Sequence, residues 1–193
     1  MMAEDHAAAA AAPDRMQALA DAAREACSRG VAPVHKWSPE RCGALDLVIR
    51  ADGSWIYEGS PIRRPALVKL FSTVLRRDPD GYVLVTPAEK LDITVEDAPF
   101  LAVEMASEGE GERRRIRFRT NVDEVVDVGE GHALRFETAA DGGFKPYVHI
   151  RSDLWALVAR SAVYDLVELA EERDGVLGVW GGGRFFALPE ASA

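Results

Sequence analysis

The nine residues Arg113-Arg114-Arg115-Ile116-Arg117-Phe118-Arg119-Thr120-Asn121 hold five arginines. Side chains alternate on a strand, so Arg115, Arg117 and Arg119 fall on one face at roughly 6.6 Å intervals while Ile116 and Phe118 turn to the core. Three guanidinium groups in a row suit a phosphate or a carboxylate, since each can donate two parallel hydrogen bonds. The same row also reads as a solvated face with cross-strand ion pairs, Glu104 lying near Arg115 if Glu108 to Glu112 makes the hairpin turn. Arg119, which leads into Thr120-Asn121, is the member singled out for ligand binding. Asn121 would then supply a hydrogen bond.

A second set is scattered along the chain. Arg63 and Arg64 precede one expected helix and Arg160 takes the equivalent place before another; Arg50 and Arg151 are matched as well. If two units pack pseudo-symmetrically, these arginines and the nearby helix N-termini converge on an anion in the cleft between them, with Tyr57, Tyr164 or Trp180 stacking on it. The alternative is local pairing of Asp52 with Arg50 and of Asp153 with Arg151. Other signals are weaker. Gly181-Gly182-Gly183 leads into a strand, not a helix, and reads as a hairpin turn. His35, His132 and His149 have no metal-ligand spacing. Ser60 and Ser161 lack an identifiable His-acid partner, and Asp92, Glu96 and Asp97 read as a solvated strand edge.

The elements that must position these residues are partly duplicated. Ile49-Arg50-x-Asp52 is echoed by Ile150-Arg151-x-Asp153, Trp55 by Trp155, and Leu67-Val68-Lys69-Leu70 by Leu166-Val167-Glu168-Leu169. An Asp-Gly and an apolar run follow each, at Asp80-Gly81 and Asp174-Gly175. The first copy reads as a strand over Leu45 to Arg50, a turn at Asp52-Gly53, a return strand over Trp55 to Tyr57, and a helix from Pro65 with Leu67, Leu70, Phe71, Val74 and Leu75 on one face. Strand Tyr82 to Thr86 follows. From Lys90 to Ile150 the period predicts six meandering strands, near 90–95, 100–107, 113–119, 123–128, 133–138 and 145–150. Leu154 to Glu172 reads as helical with a break near Arg160-Ser161, and a last hairpin spans Val176 to Trp180 and Arg184 to Leu188. An amphipathic helix from Pro13, capped by Gly30, precedes all of this.

The fold class is therefore α+β, in two domains from an internal duplication. The C-terminal one is a bent antiparallel sheet or barrel plus a helix, superficially pleckstrin-homology-like. The expected division is a disordered tail over 1–12, a helix over 13–30, an α+β domain over 31–88 and the barrel-like domain over 89–193. The chain has 193 residues, 23 Lys and Arg against 32 Asp and Glu, and a net charge of −9. That balance repels a nucleic-acid backbone or an anionic membrane. No run is long enough to span a membrane, and two isolated cysteines fit a reducing compartment, so the chain is placed in the cytoplasm.

The runs LDLVIRADGSWIYEGSPI, LVKLFSTVLRRDPDGYVLVTPAEK, VEDAPFLAVEM, RFRTNVDE, PYVHIR and YDLVELA, between about Trp37 and Leu188, resemble the uncharacterised bacterial family DUF1285. The resemblance implies a duplicated core of two domains, a ligand site at their interface, a nucleotide-like ligand and a part in signal transduction, with no catalytic residues defined. The resulting expectation is a cytoplasmic protein binding a small anionic, nucleotide-like ligand through Arg63, Arg64, Arg119, Arg151 and Arg160. A protein-interaction module using the Pro13 to Arg29 helix or the barrel edge is the alternative. An enzyme ranks third, and the cofactor is left unknown.

Overall fold

The structure is a computed structural model that describes residues 12–27, 32–139 and 143–189. Except for Ala12, the expected tail lies outside the described residues, as does Gly30. Two compact units emerge: residues up to Asp46 with Ile62–Ile93, and Leu47–Pro61 with Thr94 onward. Strands β1 (Arg41–Ile49) and β6 (Lys90–Val95) each contribute residues to both.

In the first unit, α1 (Ala12–Cys27) packs on α2 (Pro65–Thr73). Leu19, Ala20 and Ala23 of α1 and Phe71 of α2 are buried, as the 3.6-residue period requires. Pro65 opens α2, where its missing N–H costs nothing. The helix stops at Thr73, earlier than its apolar spacing indicated. Leu75 instead begins β4 (Leu75–Asp78), which pairs with β5 (Gly81–Val85), which in turn pairs with β6, all antiparallel. Arg76 fastens this sheet to the preceding loop: Nε donates to Asp78 (2.6 Å), and Nη1 donates to the carbonyls of Val34 and Trp37 (both 2.7 Å).

In the second unit, the end of β1 pairs with β2 (Trp55–Tyr57), and β2 with β3 (Ser60–Pro61). Its main sheet has the order β10-β11-β12-β7-β8-β9. These strands are β7 (Phe100–Glu108), β8 (Arg115–Thr120), β9 (Val125–Asp127), β10 (Leu134–Thr138), β11 (Phe144–Arg151) and β12 (Leu154–Val158). The sheet corrects the six-strand meander. Residues 90–95 pair with β5, and the sixth place is taken by β12, parallel to β7. The helix expected from Leu154 is also corrected, since Leu154, Ala156 and Val158 are buried in alternation as a strand demands. Helix α3 (Arg160–Glu168) follows and packs on β7.

A three-stranded sheet, β13 (Glu171–Arg173), β14 (Val176–Gly181) and β15 (Arg184–Ala187), closes the unit. The succession of hairpin, helix and hairpin in β1-β2-α2-β4-β5 thus recurs in β11-β12-α3-β13-β14, with the paired motifs at matching turns. Gly181-Gly182-Gly183 makes the β14–β15 turn. Gly182 has φ +58°, donates its N–H to the Arg114 carbonyl (3.0 Å), and leaves only 2.3 Å between an added Cβ and the Val128 carbonyl oxygen.

Two outcomes follow from these contacts. Gly182→Ala lowers stability by about 2 kcal/mol or more, because strain and clash coincide; it reads as a lower urea midpoint at unchanged slope. The Asp78 carboxyl sits below the ordinary carboxylate range, first because Arg76 donates to it and also because Lys90 does. A lowered folded-state value stabilises above the unfolded value of about 4 and ceases to do so as pH falls through the folded one. Asp78→Asn therefore costs about 1–3 kcal/mol near neutrality, and its urea midpoint converges with that of the unaltered chain in acid.

Candidate anion-binding site

On β8 the alternation is as expected: Ile116 and Phe118 are fully buried, and Arg115, Arg117 and Arg119 share the outer face. The cross-strand register then decides their partners. Glu108 faces Arg115, Ala106 faces Arg117 and Glu104 faces Arg119, so Glu104 serves Arg119 and not Arg115. Arg117 grips Asp127 of β9 through Nε (2.7 Å) and Nη2 (3.0 Å), and the Asp127 carboxyl is held below its ordinary range chiefly by that hydrogen bond. Arg119 is the most fully engaged of the row. It binds both oxygens of Glu104 and donates to Asp123 (2.6 Å), and Glu104 lies below the usual carboxylate range for that reason. The Arg115 guanidinium makes no hydrogen bond or ion pair with any described residue, though its charge helps to lower Asp127.

Asn121 is committed inside the fold. Its Oδ1 accepts from the Leu101 N–H and its Nδ2 donates to the Gly53 carbonyl, both at 3.1 Å. That tie joins the β1–β2 turn to β7. Gly53 is required there, since φ is +81° and a Cβ would stand 2.8 Å from Asn121 Nδ2. Arg151 bonds Glu124 and lies over the Phe100 ring. Arg160 is hydrogen-bonded to Tyr164 one helical turn on, which raises it above the ordinary arginine value; Tyr164 is 62% exposed. Trp180 meets Phe185 edge-on and carries the Arg173 guanidinium 4.9 Å from its ring centre. Tyr57 is half-buried in β2, opposite Leu47. Arg63 and Arg64 are exposed just before α2, and their guanidinium groups have no partner among the described residues. Arg119 and Arg151 thus draw on neighbouring acids, Asp123 and Glu124, of the β8–β9 turn.

Asp97, read from the sequence as a solvated edge, is instead a fastening point. Its side chain is 11% exposed and takes hydrogen bonds from Lys145 Nζ (2.6 Å) and the Tyr147 hydroxyl (2.8 Å). Burial first, and the Asp97 hydrogen bond next, push the Tyr147 phenol above its ordinary value. Arg135 from β10 lies over the rings of both Tyr147 and Trp155. The available signal was the i, i+2 spacing of Lys145 and Tyr147 on β11, which puts both on one face. Among the described residues no three His, Cys, Asp or Glu side chains gather to hold a metal, and no helix is long and apolar enough to cross a membrane.

Residues 32–98 match the family model described as the N-terminal domain of DUF1285, a domain of unknown function, and residues 99–188 match the DUF1285 C-terminal domain. A DUF1285 family protein from Silicibacter pomeroyi, solved by crystallography at 2.50 Å, is 45% identical with a TM-score of 0.82, over 88% of this chain and 93% of that one. Another from Shewanella baltica, solved at 1.40 Å, is 27% identical with a TM-score of 0.50, over 64% and 91%. No curated protein matches the chain.

The Tyr147 environment has a measurable sign. A tyrosine whose folded-state value is raised binds its proton more tightly than in the unfolded chain. The stabilisation is whole below the unfolded value of about 10 and disappears as pH rises through the folded one. In a spectrophotometric titration, Tyr147→Phe removes a late-ionising tyrosine, and Asp97→Asn moves that ionisation to lower pH.

Proposed function

The chain belongs to the DUF1285 family, whose description assigns no function, and we propose that it is a cytoplasmic ligand-binding protein of signal transduction that holds a small anionic, nucleotide-like ligand. The observation that carries the reading is the contrast among its arginines. Arg119, Arg151 and Arg160 already have partners, whereas Arg63 and Arg64 stand exposed and unpaired, adjacent in sequence. Two neighbouring guanidinium groups without carboxylates are what a phosphate-bearing ligand requires. Arg64 is also the N-cap of α2 and caps it with no side-chain hydrogen bond, so the positive end of that helix adds to the same attraction.

A second reading, a module that docks a protein partner, draws on exposed apolar side chains. Tyr164 (62%) and Val167 (46%) lie on α3, and Val176 (45%) and Leu177 (54%) begin β14. A protein surface of this kind is common at partner sites.

Thermal-shift screening against nucleoside mono-, di- and triphosphates separates the two. The first reading expects a rise in midpoint at low salt that shrinks at high salt and vanishes in Arg63→Ala/Arg64→Ala. No rise with any nucleotide, in folded and ligand-free protein, removes that reading. Persistence of nucleotide binding in Leu177→Asp, with loss of partner capture, would show both surfaces in use.

A further inference from the structure

We propose that the groove on the outer face of β7 and β8 is a carboxylate-binding site, separate from Arg63 and Arg64, with Arg115 as its principal cation and Arg117 as a fixed second donor. The groove is lined by Ala106, Glu108, Arg115, Arg117 and Asp127 and has a volume of about 90 Å³. It exists because Ala106, opposite Arg117, carries only a methyl group where its neighbours on that face, Glu104 and Glu108, carry long side chains.

Size sets the first limit on the occupant. At about 30 Å³ for each water, the space matches about three waters, enough for a carboxylate and its adjoining carbon. Pockets that enclose drug-sized ligands run to about 300 Å³ and above, so the groove seats a carboxylate-sized group and does not enclose a nucleotide.

Donor chemistry sets the second. Asp127 occupies Nε and Nη2 of Arg117, which fixes that guanidinium and leaves the Nη1 hydrogens without an acceptor. The Arg115 guanidinium has no hydrogen-bond or ion-pair partner among the described residues, although Glu108 faces it in the register and its charge acts on Asp127. A guanidinium fork and a carboxylate are matched in spacing and can form two parallel bonds.

Charge sets the third. The two arginines of the lining are balanced by Glu108 and Asp127. A singly charged carboxylate is therefore accepted more readily than a phosphate dianion, and binding is weak. The carboxylate can belong to a free small acid or to an acidic side chain of a protein, and the two sources share this chemistry.

The test follows the arginine Nε–Hε signals of the full chain by NMR during titration with sodium acetate, against sodium chloride at matched ionic strength. The Arg115 signal is assigned by its absence in Arg115→Lys. Saturable movement of that signal with acetate, a smaller one at Arg117, and none with chloride is the expected result. Arg115→Ala abolishes the Arg117 response, and Ala106→Leu, which fills the groove, weakens the Arg115 response by about tenfold or more. Because Arg115 is exposed, Arg115→Ala keeps its backbone spectrum and the test does not depend on the groove-filling variant. Tighter binding of N-acetyl-glutamate amide than of acetate assigns the site to protein side chains, and equal binding assigns it to free acids. Equal movement with chloride, or an Arg117 response that survives Arg115→Ala, means an adventitious ion only and overturns the proposal. Nucleotide binding through Arg63 and Arg64 is untouched by either result.

Discussion

The parallel pairing of β12 with β7, through Ala156 with Phe100, Leu157 with Leu101 and Val158 with Ala102, is the join on which the second unit depends. Two three-stranded meanders, β7-β8-β9 and β10-β11-β12, become one sheet there. The consequences radiate from the same residues. Ala102 accepts the N–H of Ala159, which sets the start of α3, and Leu101 exchanges hydrogen bonds with both the backbone and the side chain of Asn121. Through Asn121 the pairing also fixes the Gly53 turn. Ala102 and Ala156 are fully buried, and residues of this size let the helix packed on β7 come close.

Acids outnumber bases in this chain, 32 to 23, and that excess governs which arginines remain available. A guanidinium near a carboxylate is drawn into a pair, and the pair on a sheet face is set by register before any ligand arrives. Arg117 and Arg119 illustrate the rule with Asp127 and Glu104, and Arg76 with Asp78. The exposed pairs on β8 add little stability, the Arg76–Asp78 pair is largely buried, and all of them determine where a further anion cannot bind. An arginine that escapes pairing despite the surplus of acid is therefore more informative than an arginine-rich run.

Much of the architecture was legible in the sequence. The duplicated Ile-Arg-x-Asp words mark hairpin turns in both copies, and the alternation of Arg115 to Arg119 marks a strand with a buried side. What failed shares a physical reason. Leu154-Trp155-Ala156-Leu157-Val158 is apolar at every position although only Leu154, Ala156 and Val158 are buried, with Trp155 and Leu157 half-buried, and such a run has no polar period to separate it from a helix. Val74 and Leu75 fell on the face of α2 by spacing, yet belong to the bend and strand beyond it. Site residues were less legible, because partner choice depends on register. The register of β7 on β8 sets Glu104 opposite Arg119 and Glu108 opposite Arg115, and a bulge between Ala102 and Glu104 shifts that register by one residue. Asp97 was misjudged for a related reason: its acceptors' donors, Lys145 and Tyr147, lie almost fifty residues on.

The hairpin Leu47–Pro61 is grouped with residues beyond Thr94, although the family boundary falls between residues 98 and 99. During synthesis this hairpin leaves the ribosome long before its partners. The Asn121 amide that donates to the Gly53 carbonyl comes 68 residues later, and non-local closure of this kind slows folding. A nascent chain stopped at residue 98 therefore presents a turn whose proper companion has not yet been made, and the two sequence domains are not two independent folding events. A duplication that began as two like halves has ended with one half lending its hairpin to the other.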